Sequence, residues 1–232
     1  MHIGFDIISD LNLSPNDSFN WENKATSLYC VIAGNISSDL RTIGQTLAHL
    51  SRFYQGVFYC LGSLEYDGAE NLETRTNEIL SICERLRKVA VLHHHVVIID
   101  GVAILGCNGW YGNTLPTNPA TESSLRAARN EDLYYMIHSI EKLQKHLDVT
   151  KIITVSNSVP CPELYFGQVP DSIDGVPTLD MVLHADTQIK TSHWVFGTQE
   201  KIVDTTLNGI NYVNNPKFNR NPYWAKRIDI EV

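Results

Sequence analysis

Five short polar segments recur along the chain, each directly after an apolar, strand-like run: Asp10-Leu11-Asn12, Gly34-Asn35, Gly62-Ser63-Leu64-Glu65, Ser156-Asn157-Ser158 and Gly197-Thr198-Gln199-Glu200. Their side chains offer carboxylates, amides and hydroxyls. Oxygen donors of this kind suit a hard cation such as Mg²⁺ or Ca²⁺ better than Zn²⁺ or iron, and neutral amides hold a divalent ion weakly unless carboxylates supply charge. Asp10, Asn35, Asn157 and Glu200 are the donors that one such ion would use. Ser156 and Ser158 lack the Gly-x-Ser-x-Gly elbow of a serine nucleophile, and no His–Asp pair at recognisable spacing serves them. The run His93-His94-His95 precedes an apolar stretch; side chains alternate along a strand, so at most two of the three converge, and the run reads as an exposed strand entry.

The elements that must position these segments follow from hydrophobic periodicity. Residues 2–9, 28–33 and 57–61 are apolar runs rich in β-formers. Between the second and third, Ile43, Leu47, Leu50 and Tyr54 recur at helical spacing, so strand–helix–strand with a parallel crossover is expected. A helix is expected over 72–89, with Ile79, Leu80, Cys83 and Leu86 on one face, and a longer one over 130–147, with the stripe Leu133, Met136, Ile137, Ile140, Leu143 and Leu147. Asp100-Gly101 and Asn208-Gly209 each mark a two-residue hairpin turn, between 96–99 and 102–105 and between 202–207 and 210–213. Ile152 to Ser156 reads as another strand, and Thr178 as the cap of a short helix to His184. His138, His146, His184 and His193 lie beside helix-like segments and read as surface or helix-end residues. The Trp110-Tyr111 and Pro222-Tyr223-Trp224 clusters read as packing rather than as base-stacking platforms. Polar segments at the carboxyl ends of strands are where α/β folds place their sites.

In sequence and order the five segments resemble the calcineurin-like metallophosphoesterase family, whose motifs run Asp-x-His, Gly-Asp, Gly-Asn-His-Asp/Glu, a His after a later strand, and Gly-His-x-His. The likeness extends over residues 3 to about 232: residues 96–109 look like the strand pair after the third motif, Trp194-Val195-Phe196 like the strand leading into the last, and Asn215-Pro216 like the closing strand. The resemblance implies an α/β, metallophosphoesterase-type two-sheet sandwich flanked by helices. In an active member two divalent metals, bridged by one Asp, generate a hydroxide and stabilise in-line displacement at phosphorus.

Carried over residue by residue, almost none of that ligand set remains. Asp10 is retained, but Asn12 stands at the first His and Asn35 at the bridging Asp. Ser63 stands at an Asn ligand, and Leu64 at the His that assists the leaving group, where an apolar side chain transfers no proton. Asn157 stands at a ligand His, and Thr198 and Glu200 at the two His of the last motif; Glu65 matches its motif but is not principally a ligand there. The resemblance therefore implies a pseudoenzyme whose vestigial site positions are Asp10, Asn12, Asn35, Ser63, Leu64, Asn157, Thr198 and Glu200, with a hydrogen-bonded polar pocket where metals would sit.

With a net charge of −8 and no basic cluster beyond Arg85-Leu86-Arg87-Lys88, nonspecific nucleic-acid binding is not expected. No apolar run approaches the ~20 residues that cross a bilayer. No signal-peptide pattern opens the chain, so residence in the cytoplasm, or in an intracellular or viral assembly, is the expectation. Five widely spaced cysteines without a CxxC pair read as buried thiols. One domain spanning residues 1–232 is expected, with no cofactor, acting as a binding or structural module through a protein partner or self-assembly. Two alternatives stand beside it: a phosphoesterase with an oxygen-liganded Mg²⁺ or Mn²⁺ at Asp10, Asn35, Asn157 and Glu200, and a noncatalytic nucleotide or phosphate binder.

Overall fold

A computed structural model describes residues 1–15, 17, 19–110, 119–166, 183 and 190–232. The first sheet is built from β1 (His2–Ile8), β2 (Tyr29–Ala33), β3 (Gly56–Cys60) and β4 (Val89–Val91), all parallel, with β11 (Lys226–Glu231) antiparallel against β1. In the second, β5 (His95–Ile99) and β6 (Val102–Cys107) form a hairpin; β7 (Lys151–Ser156), β8 (Thr191–Phe196) and β10 (Ile210–Val213) continue parallel from β6, and β9 (Asp204–Leu207) closes the edge antiparallel to β10.

Period-two alternation sorts the side chains into layers. Phe5, Val31 and Phe58 from the first sheet meet Ile104, Ile153 and Val195 from the second in the central core. On the other face of the first sheet, Ile8, Ile32 and Tyr59 pack under α1 (Leu40–Leu50) and α2 (Leu72–Cys83); on the other face of the second, Leu105, Trp194 and Phe196 pack under α3 (Pro119–Gln144). The result is the expected α/β sandwich, two mixed sheets flanked by helices. Asp39 and Asn71 cap α1 and α2, each accepting from a backbone N–H three residues on, at 2.8 Å.

Several boundaries differ from the periodicity. The helix expected over 72–89 ends at Cys83, because Val89–Val91 pairs with β3 in the register Val57↔Val89; a three-residue run is too short to declare itself a strand before the neighbouring edge exists. The helix expected from 130 begins at Pro119, where the sequence is polar and Ala-rich and carries no apolar stripe. It stops at Gln144, leaving Leu147 96% exposed, and Lys190 Nζ donates to the terminal carbonyls of Leu143 and His146. His193 lies half-buried within β8 rather than beside a helix. Asn215-Pro216 is not the closing strand: Pro216 forms only an isolated bridge to Ser9, and β11 closes the sheet. All five cysteines are free and buried, and Trp110 and Tyr223 are packed while Trp224 is half exposed. The helix expected over 178–184 and Tyr111 lie outside the described residues.

Candidate functional site

Because β1, β2, β3, β7 and β8 all run the same way within their sheets, their carboxyl ends deliver the five polar segments to one edge of the sandwich. The two sheets are stitched together there. Asn157 Nδ2 donates to the Ala33 carbonyl at 3.0 Å, and Thr198 N donates to Asp10 Oδ1 at 2.9 Å. Such close approach restricts residue types: a Cβ on Gly34, whose φ is +74°, would lie 2.6 Å from Asn157 Nδ2 and 2.7 Å from the Gly62 Cα. Asp10, Asn12, Asn35 and Thr198 also hold φ between +47° and +61°, a region non-glycine residues enter at a cost of about 1 kcal/mol. Clustering of such backbone at a sheet edge is the usual mark of a site.

Within this edge the amides are committed to one another. Asn35 donates through Nδ2 to Asp10 Oδ1 at 2.8 Å and accepts at Oδ1 from Leu64 N at 3.0 Å. Asn157 Oδ1 accepts from Ser63 N at 3.0 Å and from the Thr198 hydroxyl at 3.1 Å. Backbone N–H donors thus set which end of each amide faces inward. Asn35 and Asn157 are both buried, and so is Asp10 at 4% exposure. Burial raises the Asp10 carboxyl to about 6, despite the donors on Oδ1. Its Oδ2 is buried without a hydrogen-bond partner among the described residues. Ser63 contributes its backbone N–H, and Leu64 opens a 3-10 turn, Leu64–Tyr66, with its side chain half-buried. Asn12 joins only through its backbone, donating to the Asn35 carbonyl at 2.9 Å, and Glu200 is exposed and takes no part in these hydrogen bonds.

Two adjacent divalent ions do not fit this donor set. Among the described residues the one buried carboxylate oxygen left open is Asp10 Oδ2, and both ends of the Asn35 amide are engaged. Among the described residues no three His, Cys, Asp or Glu side chains gather as a metal-holding group.

Two features escape sequence reading. Glu65 is fully buried and accepts from Asn35 N, Ile36 N, Gly62 N and the Tyr59 hydroxyl at 3.1, 2.8, 3.0 and 2.7 Å. It clamps the second and third polar segments together. The second is a His–Asp pair: His94 Nε2 lies 2.7 Å from Asp132 Oδ1, and Asp132 Oδ2 accepts from Gly109 N at 2.7 Å. Asp132 is 2% exposed, so one carboxylate ties α3 to the β4–β5 turn and to the exit of β6. Its signal was present in the sequence, since Asp132 continues the Met136–Ile140 stripe one turn back. His94 is therefore more than an exposed strand entry.

Asp132 holds the His94 imidazole above its ordinary pKa, whereas burial, with His94 alongside, pushes His93 down. Stability from His94 is thus fully present below the unfolded imidazole pKa and is lost as pH rises through the raised value; His93 acts with the opposite sign. Replacing His94 by Gln is expected to cost about 2 kcal/mol near pH 6 and less near pH 8.5, measured as the difference between wild-type and H94Q denaturant midpoints. An equal cost at both pH values would contradict an ionised pair.

No protein-family model and no curated protein matches the sequence. Solved structures do. Phosphopantetheinyl hydrolase (PptH) from Mycobacterium tuberculosis superposes with a TM-score of 0.67 at 14% identity, over 98% of this chain and 96% of that one. The fold is metallophosphoesterase-like. A protein assigned as a 5′-nucleotidase from Staphylococcus aureus, solved with α-ketoglutarate, matches with a TM-score of 0.58 at 11% identity, over all of this chain and 51% of that one. At such identities the likeness concerns the metallophosphoesterase-like fold alone. In this chain the five polar segments follow the ends of β1, β2, β3, β7 and β8.

Proposed function

We propose that this protein is a noncatalytic member of the metallophosphoesterase-like fold, serving as a binding or structural module through a protein partner or self-assembly. The observation that carries the reading is Asn35. At the position that the resemblance gives to the bridging carboxylate stands a neutral amide that donates to Asp10 and accepts from Leu64 N, so both of its ends are engaged within the protein. Beside it, the proton-transferring position is the aliphatic Leu64. Among the described residues no helix is long and apolar enough to cross a membrane, so a membrane-spanning role is not part of the proposal.

A second reading rests on a different atom. The open Asp10 Oδ2 is a buried anionic acceptor, the kind of donor that a single oxygen-liganded Mg²⁺ or Mn²⁺ would use. Metal analysis of the purified chain and an aryl-phosphate assay with added Mn²⁺ separate the two. Substoichiometric metal and no turnover above background are expected. Stoichiometric metal, with turnover abolished by Asp10→Ala, would overturn the noncatalytic reading. Light scattering on the same preparation tests the assembly proposal, for which a species larger than the monomer is the expected result.

A further inference from the structure

A cleft of about 590 Å³ opens between α2 and α3, lined by Tyr66 of the Leu64–Tyr66 turn and by none of the vestigial positions. Its volume falls within the ~300–1,000 Å³ of small-molecule sites. The space exists because α3 presents Ala127 and Ala128 toward α2, side chains too small to fill the gap between the helices. The indole of Trp110 and the ring of Tyr66 form an aromatic wall, their centroids 5.0 Å apart.

The chemistry of the lining is one-sided. Glu73 on α2 and Glu131 on α3 stand exposed at the cleft, and the Asp132 carboxylate lies behind His94. Among the described lining residues there is no Lys or Arg, so an anionic ligand such as a phosphate would meet repulsion with no compensating charge. His93 stacks on His94 with centroids 4.6 Å apart, and burial lowers its imidazole pKa, which favours the neutral ring whose lone pair accepts from an N–H donor. Carboxylates, an imidazole acceptor and aromatic side chains are the groups that recognise a cation carrying N–H donors on an apolar body.

We propose that this cleft binds a small organic cation, a protonated amine or a guanidinium on an apolar body, held by Glu73, Glu131 and His93 against Trp110. The proposal holds whether or not the vestigial positions are catalytic, since it uses none of them. Titration calorimetry on the full chain compares tyramine with 4-hydroxyphenylacetate, which shares the ring but carries the opposite charge. Agmatine and N-acetylarginine amide, run in parallel, distinguish a free amine from a peptide side chain as the source of the cation. At least one of the three cations is expected to bind saturably, one to one, and at least about tenfold more tightly than the anion. The exposed pair change Glu73→Gln with Glu131→Gln is expected to weaken that binding by about tenfold or more while leaving the melting temperature within about 2 °C. The proposal falls if no cation binds saturably up to about 10 mM, if the anion binds equally well, or if the double variant binds unchanged.

Discussion

Replacing Glu65 by glutamine is expected to cost about 3–5 kcal/mol, the largest effect of any single isosteric change at this edge of the molecule. Glu65 is completely buried, and its two oxygens face four donors: three backbone N–H groups and the Tyr59 hydroxyl. Burial raises the carboxyl pKa, yet every partner is a donor, so only the ionised form satisfies them all. Glutamine keeps the volume but turns one oxygen into an NH₂ that points at N–H or O–H groups. At least two buried donors then lose their acceptor, and each costs about 1–3 kcal/mol. The backbone of Asn35, Ile36 and Gly62 would part, and the polar network built on Asn35 with it. Urea unfolding of E65Q measures this directly; a loss below about 1 kcal/mol would show that the clamp is dispensable.

The second large effect has the opposite sign. Asp10→Asn is expected to stabilise the protein by about 1–2 kcal/mol near pH 8 and to change little near pH 4. The Asp10 carboxyl ordinarily titrates near 3.8 and is raised to about 6 in the fold. A raised carboxyl contributes stability that is fully present below the unfolded pKa and lost as pH climbs through the folded one, so ionisation costs about 3 kcal/mol once pH exceeds 6. Asparagine retains an oxygen to accept from Asn35 and Thr198, and removes the charge. Part of the gain is offset because its new NH₂ occupies the place of Oδ2, which has no partner. Thermal melts at the two pH values test the sign. They also discriminate between the two readings of the site, for a cation bound at Asp10 would make D10N less stable, not more, when Mn²⁺ is added.

Both predictions concern the polar edge where the two sheets meet. Its shape is a backbone matter: parallel strands ending at one level, left-handed residues at Asp10, Asn12, Asn35 and Thr198, and glycines where two loops nearly touch. The loops are held by hydrogen bonds from backbone N–H groups and the Asn35 and Asn157 amides to one another and to the Asp10 and Glu65 carboxylates. Such a network needs no metal to be stable, and that is why the noncatalytic reading is coherent with an ordered edge.

Local pattern was enough for the strand–helix–strand opening, for both Asp-Gly and Asn-Gly hairpins and for the five polar segments, because each depends on periodicity or turn chemistry within a few residues. The identities of the polar residues, Asp10, Asn35, Ser63, Asn157, Thr198 and Glu200 among them, were likewise legible from the chain alone. What those side chains touch was decided only by the fold. Asn157 reaches Ala33 across 124 positions of sequence, and Thr198 reaches Asp10 across 188, contacts that exist because two sheets pack face to face. Val89–Val91 became a strand because β3 offered an unpaired edge, and α3 began at Pro119 although its first turns carry no apolar stripe. The pairing of His94 with Asp132 and the cleft beside it belong to the same class. Spacing places Asp132 on the buried stripe of α3 but does not name His94 as its partner; that is fixed by where a helix from one part of the chain comes to rest against a turn from another.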